Sequence, residues 1–104
     1  MPMDDPVSRG HTVAYTFEWS TAKASANSRK HGVTFDEAST VFSDPLALLK
    51  RDPDYSYGEE RYVLLGESAR ERLLVVIFEE RPLRTWLISA RRATRRERAS
   101  YEGT

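Results

Sequence analysis

Apolar and polar residues alternate from Thr12 to Trp19, with Val13, Tyr15, Phe17 and Trp19 on one side and Ala14, Thr16 and Glu18 on the other. Alternation of aromatic and β-branched residues with period two predicts a strand. The period then changes. Ser20 or Thr21 caps a helix that runs to about His31, where Gly32 supplies the stop. Ala22 and Ala26 are expected on its inner face, with Lys23, Asn27, Lys30 and His31 sharing the other. Thr34-Phe35-Asp36-Glu37 reads as a capping box and opens a second helix to about Phe42. Phe35, Ala38, Val41 and Phe42 give that helix a core stripe, and Asp44-Pro45 ends it.

The second half reads as sheet. Pro45 to Arg51 is a short strand or an extended edge, and Asp52 to Gly58 is a loop by composition. Strands are expected over Glu60 to Glu67, Arg72 to Glu79 and Leu83 to Ala90. The middle one is apolar on both faces, which marks a central strand. Short connections at Ser68 to Glu71 and Glu80 to Pro82 make the three an antiparallel meander. Thr94-Arg95-Arg96-Glu97 is a second capping box, starting a last helix that ends near Tyr101 or Glu102. The fold class is therefore α+β: two N-terminal helices packed on an antiparallel sheet of about four strands, with a C-terminal helix. Residues 1–12, with Pro2, Pro6 and Gly10, read as a flexible lead-in to a single domain over 13–104. Two helices cover one sheet face and leave the other partly open, so arginines at its rim would edge a groove.

Composition narrows the chemistry. A chain of 104 residues fits one domain. It has no cysteine, hence no disulfide and no thiolate metal site, and two histidines do not make a conventional zinc centre. The N-terminus lacks a signal-peptide pattern and no apolar run approaches the ~18 residues of a membrane span. A soluble, cytoplasmic protein is the expectation. The net charge is zero, but Arg81 to Thr104 carries seven arginines against two glutamates, while the preceding part carries nine basic and fourteen acidic residues. That asymmetry suggests an anionic partner for the basic end, or else a solvated Arg-rich helix.

No phosphate loop, dinucleotide fingerprint, zincin motif or nucleophile elbow occurs. Lys30-His31 at a helix C-terminus either complements the helix dipole or contacts phosphate and carries a proton. Glu59-Glu60-Arg61 is either a solvated strand end or a carboxylate base beside a phosphate-binding arginine. Arg81, Arg84, Arg91 and Arg92 flank the last strand, and Arg95, Arg96 and Arg98 continue into the helix, accompanied by Trp86 and Tyr101. Arginine forks bind phosphate and aromatic rings stack on bases, so this mixture suits RNA. The alternative puts Trp86 in the core and pairs the arginines with glutamates. Metal-free RNA cleavage needs only a base for the 2′-hydroxyl, cations for the phosphorane and an acid for the leaving oxygen.

With these segments in place the chain resembles the BrnT toxin family from Phe17 to Tyr101. The residues that carry the resemblance are Phe17-Glu18-Trp19 with Lys23 and Asn27, Lys30-His31-Gly32-Val33, Phe35-Asp36-Glu37-Ala38, Val41-Phe42 with Asp44-Pro45, Gly58-Glu59-Glu60-Arg61, Gly66-Glu67-Ser68, Leu73-Leu74-Val75-Val76, Ile88-Ser89-Ala90-Arg91-Arg92-Ala93, and Glu97-Arg98 with Tyr101. The resemblance implies a RelE-like fold, RNA cleavage without metal or cofactor, and growth arrest. It implies as partner a BrnA-like antitoxin with a ribbon-helix-helix DNA-binding part, which neutralises the toxin and brings it to operator DNA. The family's polar positions fall on Lys30, His31, Glu60, Arg61, Arg81, Arg91 and Tyr101. Where the family commonly has Asp-His-Ser, this chain reads Asp54-Tyr55-Ser56, so Tyr55 would stand in for the histidine. An ordinary tyrosine is a poor base at neutral pH. The working assignment makes Glu60 or His31 the base, Tyr55 or His31 the acid, and sets Arg61 with Arg81 or Arg91 on the phosphate, Lys30 completing the catalytic set. Lys23, Arg92, Arg95 and Tyr101 are the RNA contacts. The second reading is a catalytically weakened homologue that binds the antitoxin as a co-repressor.

Overall fold

The computed structural model describes residues 16–53 and 60–104. The lead-in, the strand signal before Thr16 and most of the 52–58 loop, Tyr55 included, lie outside the described residues. In chain order the elements are β1 (Phe17–Glu18), α1 (Thr21–His31), α2 (Phe35–Thr40) running into a 3-10 turn (Val41–Ser43), β2 (Leu48–Arg51), β3 (Arg61–Glu67), β4 (Leu73–Arg81), β5 (Arg84–Arg92) and α3 (Arg95–Glu102). None of these helices is long and apolar enough to cross a membrane.

The strands form one five-stranded sheet in the order β1-β5-β4-β3-β2. Two points differ from the sequence reading. There are five strands rather than about four, and the sheet is mixed, because β1 pairs parallel to β5 while β2 to β5 form an antiparallel run. The two helices between β1 and β2 carry the chain across one face to the far edge, and the meander then returns to β1. A parallel neighbour requires such a crossover.

The core lies between that face and the first two helices. Val33, Phe35, Ala38 and Val41 pack on Leu64, Leu74, Val76, Phe78, Leu87 and Ala90. Alternation along β4 sends Leu73 and Val75 to the opposite face, where they join Leu65 under Ala93 and Tyr101. This explains why β4 reads apolar on both sides. Between Leu87 and Ser89 the register with β4 shifts by one residue, leaving Ile88 as a bulge.

Ser20 caps α1 by accepting the Lys23 N–H, and Gly32 closes it in the left-handed region at φ 67°. The inner face of α1 is not the one expected: Ala22 and Ala26 are exposed, Ala24 packs inward, and Asn27 is buried. β1 is too short to reach Ala90, so the backbone of Ala90 has no strand on its outer side. The Asn27 amide takes that place, accepting the Ala90 N–H at 3.1 Å, donating to the Ala90 carbonyl at 2.8 Å and also to the Val33 carbonyl at 3.0 Å.

The first capping box is half formed. Thr34 accepts the Glu37 N–H, but the Glu37 carboxylate is buried and turned to Arg72 and Ser68 instead. Arg72 grips both carboxylate oxygens and also donates to the Gly32 carbonyl, tying the α1–α2 corner to β4. Gly66 admits the turn after α2: a Cβ there would stand 2.9 Å from both Ala47 Cβ and Val41 Cγ1. The box at α3 is complete, with Thr94 and Glu97 bonding reciprocally.

Candidate functional site

The sheet face that α1 and α2 leave uncovered carries most of the chemistry. Cross-strand partners share a face, so the register places Arg61 beside Glu79 and Glu79 beside Trp86, in a row across β3, β4 and β5. The next pair outward is Arg81 with Arg84. Inward lie Val63 beside Ile77 and Lys50 beside Val63, then Leu65 beside Val75 and Val75 beside Arg91. α3 closes the far end over Leu65, Leu73 and Val75. A groove of about 390 Å³ runs between β2 and α3, with Val63, Val75 and Ile77 at its base and Lys50, Asp52, Arg91 and Glu97 among its polar lining.

The arginines here are held by carboxylates. Arg91 donates through both terminal nitrogens to Glu97 at 2.8 Å each. This fork holds the Glu97 carboxyl down to about 2, aided by the Thr94 N–H, and raises Arg91 above its ordinary value. Arg81 donates to Glu79 at 2.8 Å, and its guanidinium lies 4.4 Å from the centroid of the Trp86 ring. Arg84 reaches Glu18 of β1 at 2.8 Å. A phosphodiester offers two oxygens and one negative charge, as a carboxylate does, so each pair is a seat that phosphate can contest.

The remaining sequence candidates lie elsewhere, so the set does not form one constellation. Glu60 points away from Arg61: it accepts the Tyr62 hydroxyl at 2.7 Å and meets Arg51 at 3.4 Å, at an exposed corner on the helix-bearing side. The Tyr62 hydrogen bond and then Arg51 lower its pKa, which weakens it as a base, and Glu60 in turn raises that of Tyr62. Lys23 and Lys30 are exposed on α1, and His31 is half-buried at its C-terminus. Arg92, across from Leu74, belongs to the helix-bearing face, and Arg95 is exposed at the start of α3. Tyr101 is a tie: its hydroxyl donates to Asp44 at 2.6 Å, which pushes its pKa up to about 12. Burial works to raise the Asp44 carboxyl, but hydrogen bonds from the Glu67 N–H, Tyr101 and the Leu46 N–H outweigh it and leave it lowered. Tyr55 lies outside the described residues. Sequence reasoning passed over Lys50 and gave Glu79 no role beyond pairing with an arginine. Glu79 shares a face with Val75 and Ile77 by simple alternation, so counting parity along β4 would have found it.

A second groove, about 410 Å³, lies on the helix-bearing side between Phe42, Tyr62 and Phe78; its lining among the described residues holds Asp44 and Glu80. Among the described residues no group of three or more His, Cys, Asp or Glu side chains converges as a metal site would.

Comparison with known proteins bears on the fold and the family. By sequence, no curated protein matches the chain. By structure, the 1.1 Å crystal structure of the Brucella abortus ribonuclease toxin BrnT is similar, with a TM-score of 0.59 and 22% identity, over 79% of this chain and 100% of that one. That likeness establishes the shared fold. Residues 19–97 match the family described as the ribonuclease toxin, BrnT, of type II toxin–antitoxin systems. The matched stretch covers well over half of the sequence, and the chain belongs to the BrnT family of ribonuclease toxins.

Proposed function

We propose that this BrnT-family toxin cleaves single-stranded RNA on the open sheet face, without a metal ion. The observation that carries the reading is that Arg61, Arg81 and Arg91 share one face of the sheet, where Arg91 and Lys50 also line a groove. Among the described residues the groove on the other side is lined by Asp44, Glu80 and aromatic rings, with Arg51 near it over the Tyr62 ring, and its carboxylates suit a polyanion less well.

In this reading Arg61 and Arg91 neutralise the scissile phosphate and its developing second charge, the part a metal would otherwise supply. A base must lie within hydrogen-bond reach of the 2′-hydroxyl. Glu60 and His31 are carried on the other side of the sheet. Glu97 is held in the Arg91 fork, and Glu79, between Arg61 and Trp86 and bonded to Arg81, is the carboxylate this reading takes as the base. The partner is a BrnA-like antitoxin with a ribbon-helix-helix DNA-binding part, which covers the cationic face until released.

Induced expression of the chain alone, followed by cleavage of a synthetic RNA in EDTA, tests the proposal. Arrest and cleavage are expected for the wild type. Both should be lost, by about a hundredfold or more in rate, in Arg61→Ala with Arg91→Ala and in Glu79→Gln. Cleavage that persists in Glu79→Gln and disappears in Glu60→Gln would move the chemistry to the other side of the sheet. No arrest and no cleavage from soluble, folded protein would favour the co-repressor reading.

A further inference from the structure

The sequence leaves Trp86 open between a core residue and a ligand contact. It is half-buried on the open face and belongs to neither apolar cluster among the described residues. One side of its ring is covered by the Arg81 guanidinium, whose side chain is itself 42% exposed and anchored by Glu79. Among the described residues the surroundings of Trp86 are charged: Arg61 and Glu79 share its row, and Arg81 and Arg84 form the pair beyond it.

We propose that Trp86, flanked by Arg81, is the platform on which one unpaired nucleobase of the RNA stacks. The inference rests on the reading of the open face as the RNA site and adds a subsite to it. Every base presents a π-face, so a ring set among phosphate-binding arginines holds single strands with little regard to sequence. Arg81 already occupies one ring face as a planar cation, which is the geometry a base and a guanidinium exchange or share. The subsite selects single strands, because the faces of bases in an A-form duplex are covered by their neighbours. Glu79 and Trp86 are direct cross-strand partners, so the stacked nucleotide sits next to the group assigned to the 2′-hydroxyl.

The probe is a short single-stranded RNA, 2′-O-methylated throughout so that it binds without being cleaved. The chain has two tryptophans, and Trp19 packs on Phe35 on the helix-bearing side, so Trp19→Phe leaves Trp86 as the single fluorescent reporter. Binding is expected to quench Trp86 emission. Trp86→Ala should weaken binding about tenfold or more, Trp86→Phe much less, with the salt dependence unchanged in both. Arg61→Ala should instead lower the salt slope by about one. Tight binding with no change in Trp86 emission, or with equal affinity in Trp86→Ala, would overturn the platform and leave the RNA reading standing. No binding to the wild type at low salt would overturn the RNA reading and the platform with it. Should Trp86→Ala fail to fold, the Trp86 emission of the Trp19→Phe variant carries the decision: quenching on binding supports the platform, and binding without quenching overturns it.

Discussion

Replacing Asn27 by alanine removes a side chain that touches no substrate, yet the structure makes it one of the costliest single changes available. The amide satisfies three backbone groups: the carbonyl of Val33 and both the N–H and carbonyl of Ala90. Each buried polar group left without a partner costs about 1–3 kcal/mol. The vacated space lets water recover part of this, so a net loss of about 3 kcal/mol is expected. Against a typical domain stability of about 5–15 kcal/mol this is large. With a urea slope of about 1.5 kcal/mol per molar, the unfolding midpoint should fall by about 2 M. Asn27→Asp is the sharper control. It keeps the size but turns the donor into an oxygen facing the carbonyls of Val33 and Ala90. It should be worse than alanine at neutral pH and recover as acid protonates it. The same substitutions loosen the end of α1 that carries Lys30 and His31. A loss below about 0.5 kcal/mol for Asn27→Ala, at unchanged slope, would refute the idea that this amide replaces a missing strand.

Two further outcomes follow from the same geometry. Glu97 is held at about 2 against an ordinary 4.5, so its contribution is fully present above about 4.5 and is lost as pH falls through about 2. Taken whole, the shift is worth about 3 kcal/mol, but the two side chains are 30% and 39% exposed and solvent screening leaves about 1 kcal/mol. Acid titration of stability should therefore show wild type and Glu97→Gln differing at pH 6 and converging near pH 2; a constant gap would contradict the ion pair. At the β4–β5 turn, Leu83 holds φ 65° and is 94% exposed, so Leu83→Gly relieves a left-handed backbone without losing burial. A gain of about 0.5–1 kcal/mol, read as a melting point a few degrees higher, is expected, and a lower melting point would refute it.

The elements were legible where the period was long and the caps local. Ser20, Gly32, Thr34 and Thr94 act as their types suggest, and β3, β4 and β5 begin and end within about two residues of the sequence reading. What pattern could not supply was long-range. The inner face of α1 is set by Asn27, because its partner is a backbone 63 residues away. Glu37 leaves its box because Arg72 offers a stronger bond than the Thr34 N–H. β1 lies beside β5 because the sheet's last strand returns to its first. The resemblance itself contains both kinds of residue. Asn27, Glu37, Asp44, Gly66 and Ser68 hold elements together, whereas Arg61 and Arg91 face the groove side of the sheet. One sequence cannot tell those roles apart until the register decides which face each strand residue takes.

No residue of α3 is buried, and the helix is held instead by the Arg91–Glu97 fork, the Tyr101–Asp44 bond and light contact over Leu65, Leu73 and Val75. Glu97 also accepts the Thr94 N–H that starts the helix, so one carboxylate serves the fold and the groove at once. The chain thereby carries its own imitation of a phosphate. On the proposed RNA face, a nucleotide that took Arg91 would displace Glu97 and cost the first turn of α3 an anchor, so its affinity would be measured against an internal competitor. A partner protein that offered Arg91 a carboxylate would repeat what Glu97 already does, and inhibition would then be a matter of mimicry.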